Sequence, residues 1–502
     1  MELGTISGLT VYPRSVIERA GTVFFLARDD QTGKKWLGIR GDASGFERAA
    51  QAADDIWLCP LSAANAAALR ARLPWLRPVP LGLQTSFGFG DRLGLATPGH
   101  VRAVRGTGIA PVFAQQSVRE NSRTGRTPQQ VLDEAIWGVF QEGWQQPWGA
   151  DADHVKHAAD FDLFIAAGYT LFTIDPGDHV DNAVPEASEQ EVMTKLQALP
   201  WGILEDTLQA MEHRYLRRSF ALQDAVLVFD REILWRAAAK YGRAIAHTVQ
   251  MYRYLKDRMG QRVPVTGASQ ASSEQGFELE VSVDETATPT SPEEHFFIAS
   301  ELRRLGVHWV SLAPRFVGRF EKGVDYMGDL NAFETELKQH VAIAQALGPY
   351  KLSLHSGSDK LSVYPIFAHR VGKLGHIKTA GTSYLEALRT IAGIAPELFR
   401  EILLFARQHY ETDKATYHVS ADLDRLPITD QLSDAELASV LDLFDGRQVL
   451  HVTFGSVLTE KNTDGTYRFR DRLQEVLQNN EERYFAVLQA HFAKHLAPFV
   501  AL

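Results

Sequence analysis

From about residue 81 the chain repeats one rhythm: a short β-rich run, a polar loop, then a helical pattern. The runs are Leu81–Ser86, Val112–Gln116, Thr170–Asp175, Phe277–Val283, His308–Ala313, Lys351–His355, His376–Thr379, Ala415–Val419 and Gln448–Thr453. Many are almost continuously apolar, as parallel strands covered on both faces should be. Their alternation with helices predicts a βα architecture. Nine runs for eight positions predict an α/β fold, a TIM-like (β/α)8 barrel filling residues 81–502.

Two regions break the rhythm. Residues 1–80 read as a small α/β unit: strands Val23–Ala27 and Trp36–Ile39 joined by a polar turn around Thr32-Gly33, a strand Ile56–Cys59, and an Ala-rich helix over 62–72. The interval of about 200–260 is helical by pattern throughout, with Tyr241-Gly242 as a weak point, and predicts a long helical insertion. Ser291-Pro292-Glu293-Glu294 has serine and proline where a helix start wants them. A helix over 470–495 closes the pattern.

With 502 residues, the chain is long enough for a large barrel with an appendage. A net charge of −10 argues against a nucleic-acid partner, which needs a basic face. No apolar run is long enough to span a membrane. Met1-Glu2-Leu3 opens no basic and apolar leader, so a cytoplasmic protein is expected. The single cysteine, Cys59, lies in an apolar run and reads as a buried, inert thiol.

The chemistry lies at the ends of the runs, where a barrel places its catalysts. Tyr350–Lys360 passes from an alternating strand into His355, Ser356, Ser358, Asp359 and Lys360. Leu171–Asp175 ends in a carboxylate and is followed by His179, although Asp175 with Pro176-Gly177 also fits a simple turn. Period two puts Glu278, Glu280, Ser282 and Asp284 on one face, and acids turned into a barrel must be paired or bind a ligand. Asp175 and Glu280 with His179 and His355 make a candidate divalent-metal site with acid–base carboxylates. His376, at the start of its run, and His418 are further ligand candidates. Arg315, Lys322 and Lys360 suit an anionic substrate, and Gln116 with Arg119 suits sugar hydroxyls. The Gly-rich Ser86–Gly94 has its third glycine one residue late for a dinucleotide fingerprint.

Several long phrases resemble the tagaturonate epimerase family: Ser86–Gly94 with Thr97–His100, Gln115–Asn121, Gly149–His154, Thr173–Asn182, Glu280–Thr286, Arg315–Asp325 and His355–Tyr364. The resemblance implies a divalent-metal-dependent isomerase of hexuronate catabolism on a barrel-like fold. Its expected substrates are tagaturonate and fructuronate, or the neutral ketoses tagatose and fructose. The two sugar acids differ at a carbinol carbon β to the ketone, whose C–H the carbonyl does not acidify. Retro-aldol cleavage and re-addition is the economical route. In that reaction Asp175 is expected as base and Glu280 as acid, with His179 and His355 holding Zn, Mn, Ni or Co. Arg315, Lys322, Ser356, Asp359, Lys360, Gln116 and Arg119 are the expected substrate ligands. A metal-dependent aldolase and a non-catalytic sugar-acid-binding protein are the alternatives, and assembly into a homo-oligomer is left open. A glycoside hydrolase also sets two carboxylates on a barrel, but the His-rich strand ends disfavour it.

Overall fold

The computed structural model describes residues 6–53, 55–222, 226–261 and 276–500. Six strands come first: β1 (Leu9–Val11), β2 (Ile17–Arg19), β3 (Thr22–Asp29), β4 (Lys35–Arg40), β5 (Ala50–Ala53) and β6 (Ile56–Cys59). They form an antiparallel sheet in the order β1-β3-β4-β6-β5, with β2 beside β3. The expected hairpin is β3–β4. Its turn closes because the Asp29 carboxylate accepts the Gln31 and Thr32 amides and Gly33 adopts φ +70°. Helix Ala63–Arg72 follows, N-capped by Ser62. One face of the sheet, with Phe24, Leu26, Leu37 and Ile39, joins the same apolar core as the barrel and its helices. Burial pushes the Cys59 thiol up to about 11, which keeps it unreactive.

The next strands are β7 (Ser86–Phe89), β8 (Ala110–Ser117), β9 (Gly149–Val155) and β10 (Leu171–Ile174). A short antiparallel hairpin, β11 (Ser219–Ala221) with β12 (Val226–Val228), interrupts them before β13 (Glu278–Ser282), β14 (Ser311–Ala313), β15 (Lys351–Leu354) and β16 (Gly375–Thr379). Apart from the hairpin, these strands close a barrel in the order β10-β13-β14-β15-β16-β7-β8-β9. Each neighbouring pair is parallel, so every strand delivers its C-terminal end to the same rim.

Several expectations change. The first barrel strand sits at Ser86–Phe89, after the expected Leu81–Ser86 run, and Gly149–Val155 is a strand where none was expected. Ala415–Val419 and Gln448–Thr453 are not strands: the first is a 3-10 turn running into irregular chain, and the second lies in and just after helix Phe444–Val452. Leu450, Phe454, Val457 and Leu458 are all buried and recur at three- and four-residue spacing, so helical periodicity decides over local β propensity. The 200–260 interval holds helix Leu208–Tyr215, the β11–β12 hairpin and helix Arg231–Gly260, which runs unbroken through Tyr241-Gly242. Residues 223–225 of that interval lie outside the described residues. The expected closing helix is two, Arg470–Asn479 and Glu481–Val500. Helix Pro292–Arg304 starts as expected, with Ser291 and Glu294 forming a capping box.

Candidate active site

The barrel interior is polar, and three of its carboxylates gather around one lysine. Lys378 of β16 is buried with Nζ 2.6 Å from Asp151 Oδ2, 2.9 Å from Asp153 Oδ1 and 2.8 Å from Glu280 Oε1. It also donates to Thr173 Oγ1 at 2.6 Å. Burial opposes an ammonium, but three carboxylates outweigh it and raise Lys378 well above the usual lysine range. One layer below, Lys351 donates to Ser86 Oγ at 2.9 Å, and that oxygen lies 2.8 Å from His376 Nδ1. Burial pushes His376 down to about 3, so it is a neutral interior histidine.

Above Lys378, at the C-terminal rim, four strands contribute the reactive groups. β9 supplies two adjacent ones because it is bulged: Phe172 pairs with Ala152, but Ile174 pairs with Val155. Simple alternation would send Asp153 and His154 to opposite faces; the extra residue, with His154 at φ +49°, turns both into the mouth. β15 brings His355, whose ring centroid lies 4.4 Å from that of His154. Its Nε2 is 3.4 Å from Asp153 Oδ1 and 2.8 Å from Glu280 Oε1, and its Nδ1 is 3.2 Å from Asp284 Oδ1. Burial and Lys378 disfavour its imidazolium, yet Asp284 and Asp153 prevail and raise it to about 10. Despite its burial, the His355 contact and the charges of His154 and Lys322 hold Asp284 far below the usual carboxylate range.

Ligand atoms of Asp153, His154 and His355 all lie within 4.8 Å of one another, as do those of His154, Asp175 and Glu285. His355 Nε2 lies close to Glu280 Oε1, which Lys378 already engages, and makes no aligned hydrogen bond of its own among the described residues. Imidazole and carboxylate donors converging on an orphaned buried nitrogen fit a borderline divalent cation such as Zn, Mn, Ni or Co. A third group, Asp359 with His491 and His495, does not fit one: Arg447 Nη2 already sits 2.7 Å from Asp359 Oδ2.

The site opens into a cavity of about 430 Å³ lined by Arg119, Asp284, Glu285, Arg315, Lys322 and Ser356, among others. The Arg315 guanidinium makes no ion pair or side-chain hydrogen bond among the described residues. Lys322 donates to Ser356 Oγ at 2.8 Å, and Arg119 pairs with Glu285 at 3.2 Å.

The residues expected from the sequence divide accordingly. His355, Glu280, Asp175, Arg315, Lys322, Ser356 and Arg119 come together at this mouth. Asp175 is buried behind His154, taking its Nδ1 at 3.0 Å and the Gly177 amide at 2.8 Å. Glu280 is fully buried and accepts from Ser311. His179 is exposed, stacked on His247 at 4.0 Å, and belongs to none of the convergent groups. Lys360 is buried with its ammonium on the carbonyls of Glu321, Val324 and Ser358, and Asp359 is held by Arg447 and His491. Gln116 is buried and accepts the Asp91 amide at 3.3 Å. His418 is exposed on the segment lining the cavity. Asp153, His154, Glu285 and Lys378 also reach this mouth without having been expected, and Asp284 was expected only as one acid of its strand face; the Ala-Asp-Ala-Asp alternation of β9 was the available signal for the first two.

Residues 12–499 match the family described as tagaturonate epimerase. The chain is 43% identical over 494 residues to a tagaturonate/fructuronate epimerase of Thermotoga maritima, covering 97% of this chain and 96% of that one. Crystal structures of a fructuronate-tagaturonate epimerase from Cohnella laeviribosi share 38% identity. The native form superposes with a TM-score of 0.90, covering 98% of this chain and 97% of that one. A glycerol complex gives 0.89.

Proposed function

This chain belongs to the tagaturonate epimerase family and is an isomerase of sugar acids, and we propose that it interconverts D-tagaturonate and D-fructuronate by metal-assisted retro-aldol cleavage and re-addition. The observation that carries the reading is the convergence of Asp153, His154 and His355 beside a cavity with an unpaired guanidinium. Those three residues would hold the metal, with Glu285 within reach of His154. When bound, the metal supplies Lewis acidity toward the ketone and its neighbouring hydroxyl.

The chain's own groups account for the rest. Arg315 and Lys322 bind the substrate carboxylate, and Ser356 and Arg119 face its hydroxyls. The reacting hydroxyl gives its proton to a carboxylate at the cavity wall as the bond between the α and β carbons breaks. Asp284 and Glu285 are the acids placed there, one for each face of the carbon being inverted. Asp175 and Glu280, both buried, act as positioning residues: Asp175 orients His154, and Glu280 stands against His355.

The test follows interconversion of the two acids by NMR after chelation and add-back. Turnover disappears without metal and returns with Mn, Co, Ni or Zn; full activity in a metal-free preparation overturns the metal assignment. Arg315→Met separates the acid from the neutral ketoses. Loss of a charge-assisted contact raises KM for tagaturonate roughly tenfold to a hundredfold, while the constants for tagatose stay close to wild type. Equal losses on both substrates overturn the carboxylate role.

A further inference from the structure

We propose that the segment Thr416–Ser420 roofs the reaction cavity and that Tyr417 retains the cleaved fragment, making the chain an epimerase and not an aldolase; the proposal rests on the retro-aldol reading above. The cavity walled by Asp284, Glu285, Arg315 and His355 is lined on another side by Thr416, Tyr417, His418, Val419 and Ser420. Beyond the 3-10 turn Lys414–Thr416 the segment has no helix or strand, so side chains fix its position.

It is fastened at both ends. At one end Tyr417 lies against two guanidiniums, its ring centroid 5.4 Å from Arg119 and 4.7 Å from Arg123. Arg123 also donates to the Tyr417 hydroxyl and, at 2.6 Å, to Thr416 Oγ1. At the other end Ser420 Oγ donates to Glu321 Oε2 at 2.7 Å, and the Ser420 amide donates to Gln448 Oε1 at 2.9 Å. Arg119 carries the connection into the site, because it also pairs with Glu285 at 3.2 Å.

The reaction needs such a roof. Cleavage breaks the bond between the α and β carbons and leaves its electron pair on the ketone half as an enediolate. The hydroxyl proton passes to a carboxylate, and the β carbon becomes an aldehyde. The pieces are dihydroxyacetone, as its enediolate, and tartronate semialdehyde. Re-addition to the other aldehyde face returns the proton and gives the epimer, with no net oxidation. The aldehyde must turn without leaving, and a three-carbon acid held by cations alone at an open mouth is free to diffuse away. A wall across the cavity prevents this loss.

The experiment feeds the metal-loaded protein an equimolar mixture of unlabelled and uniformly ¹³C-labelled tagaturonate. Wild type gives product that is wholly unlabelled or wholly labelled. Tyr417→Ala is expected to raise the half-labelled crossover product roughly tenfold or more, with free three-carbon fragments in solution. Tyr417→Phe keeps the ring between the guanidiniums and stays near wild type, which a general loosening of the fold would not reproduce. A parallel run of wild type with deuterium on the epimerised carbon tests the underlying chemistry, since cleavage retains that label. Washout of the label overturns the retro-aldol reading and the roof with it. Retention together with no crossover in Tyr417→Ala overturns the roof alone.

Discussion

His355→Ala is expected to fold, to lose the metal that the proposed centre would hold and to turn over tagaturonate roughly a thousandfold more slowly. Lewis-acid stabilisation of several kcal/mol, at 1.36 kcal/mol per factor of ten, gives that magnitude. The alanine removes a nitrogen 3.4 Å from Asp153 and 2.8 Å from Glu280, so two carboxylates lose the group that faces them. Lys378 remains within 3 Å of both, which keeps the barrel closed. The matching control is His179→Ala, which leaves metal content and kcat/KM near wild type because that imidazole is exposed against His247. Asp175→Asn falls between them: it weakens the orientation of His154, and a change of this kind costs about ten- to a hundredfold in metal affinity or activity. Elemental analysis of each purified variant beside its steady-state constants checks the series. Metal retention with full turnover in His355→Ala would falsify the proposed centre.

The contrast between His154 and His179 shows what the sequence carried and what it did not. The barrel was readable because parallel strands covered on both faces are nearly apolar in a row, as in β10, while β15 showed through its alternation. β9 was hidden because Gly-Ala-Asp-Ala-Asp has low strand propensity, and its alternation counts only once the barrel interior is known to be polar. His154 could not be chosen over His179, since only the bulge at Asp153-His154 turns its imidazole inward, and a bulge is a property of pairing with β10. Lys360 and Asp359 show the reverse error. They follow His355 in a reactive-looking run, but the loop turns away at Asp359, φ +59°, and spends both charges on the fold. Gln448–Thr453 was misread because its β-branched residues Val449, Val452 and Thr453 imitate a strand; the helical spacing emerges only when Phe454, Val457 and Leu458 are included.

Lys378→Met is the variant expected to damage stability most. Methionine fills similar space, so the change is chiefly one of charge, at a side chain 1% exposed. Its removal leaves Asp151, Asp153 and Glu280 facing one another without the shared ammonium, and breaking a buried pair from one side costs about 3–5 kcal/mol. In the native protein burial opposes ionisation at Asp153 and Glu280, but Lys378 together with the neighbouring histidines outweighs it and holds both carboxyls low, so their contribution is present above the unfolded carboxylate range and lost as pH falls. Burial prevails at Asp151, which is pushed up to about 6. In the variant all three carboxyls lose that ammonium and move up from their native positions. They then bind protons more tightly than in the native protein, so rising pH adds less stability to the variant than to wild type. The gap between wild type and Lys378→Met therefore widens from pH 4 to pH 8 in chelated protein, as read by urea unfolding at each pH. Saturating divalent cation narrows the gap at pH 8, because a second positive charge beside Asp153 replaces part of what the ammonium supplied. A gap that stays constant across that range, with or without metal, would show that Lys378 serves packing and not the balance of charge inside the barrel.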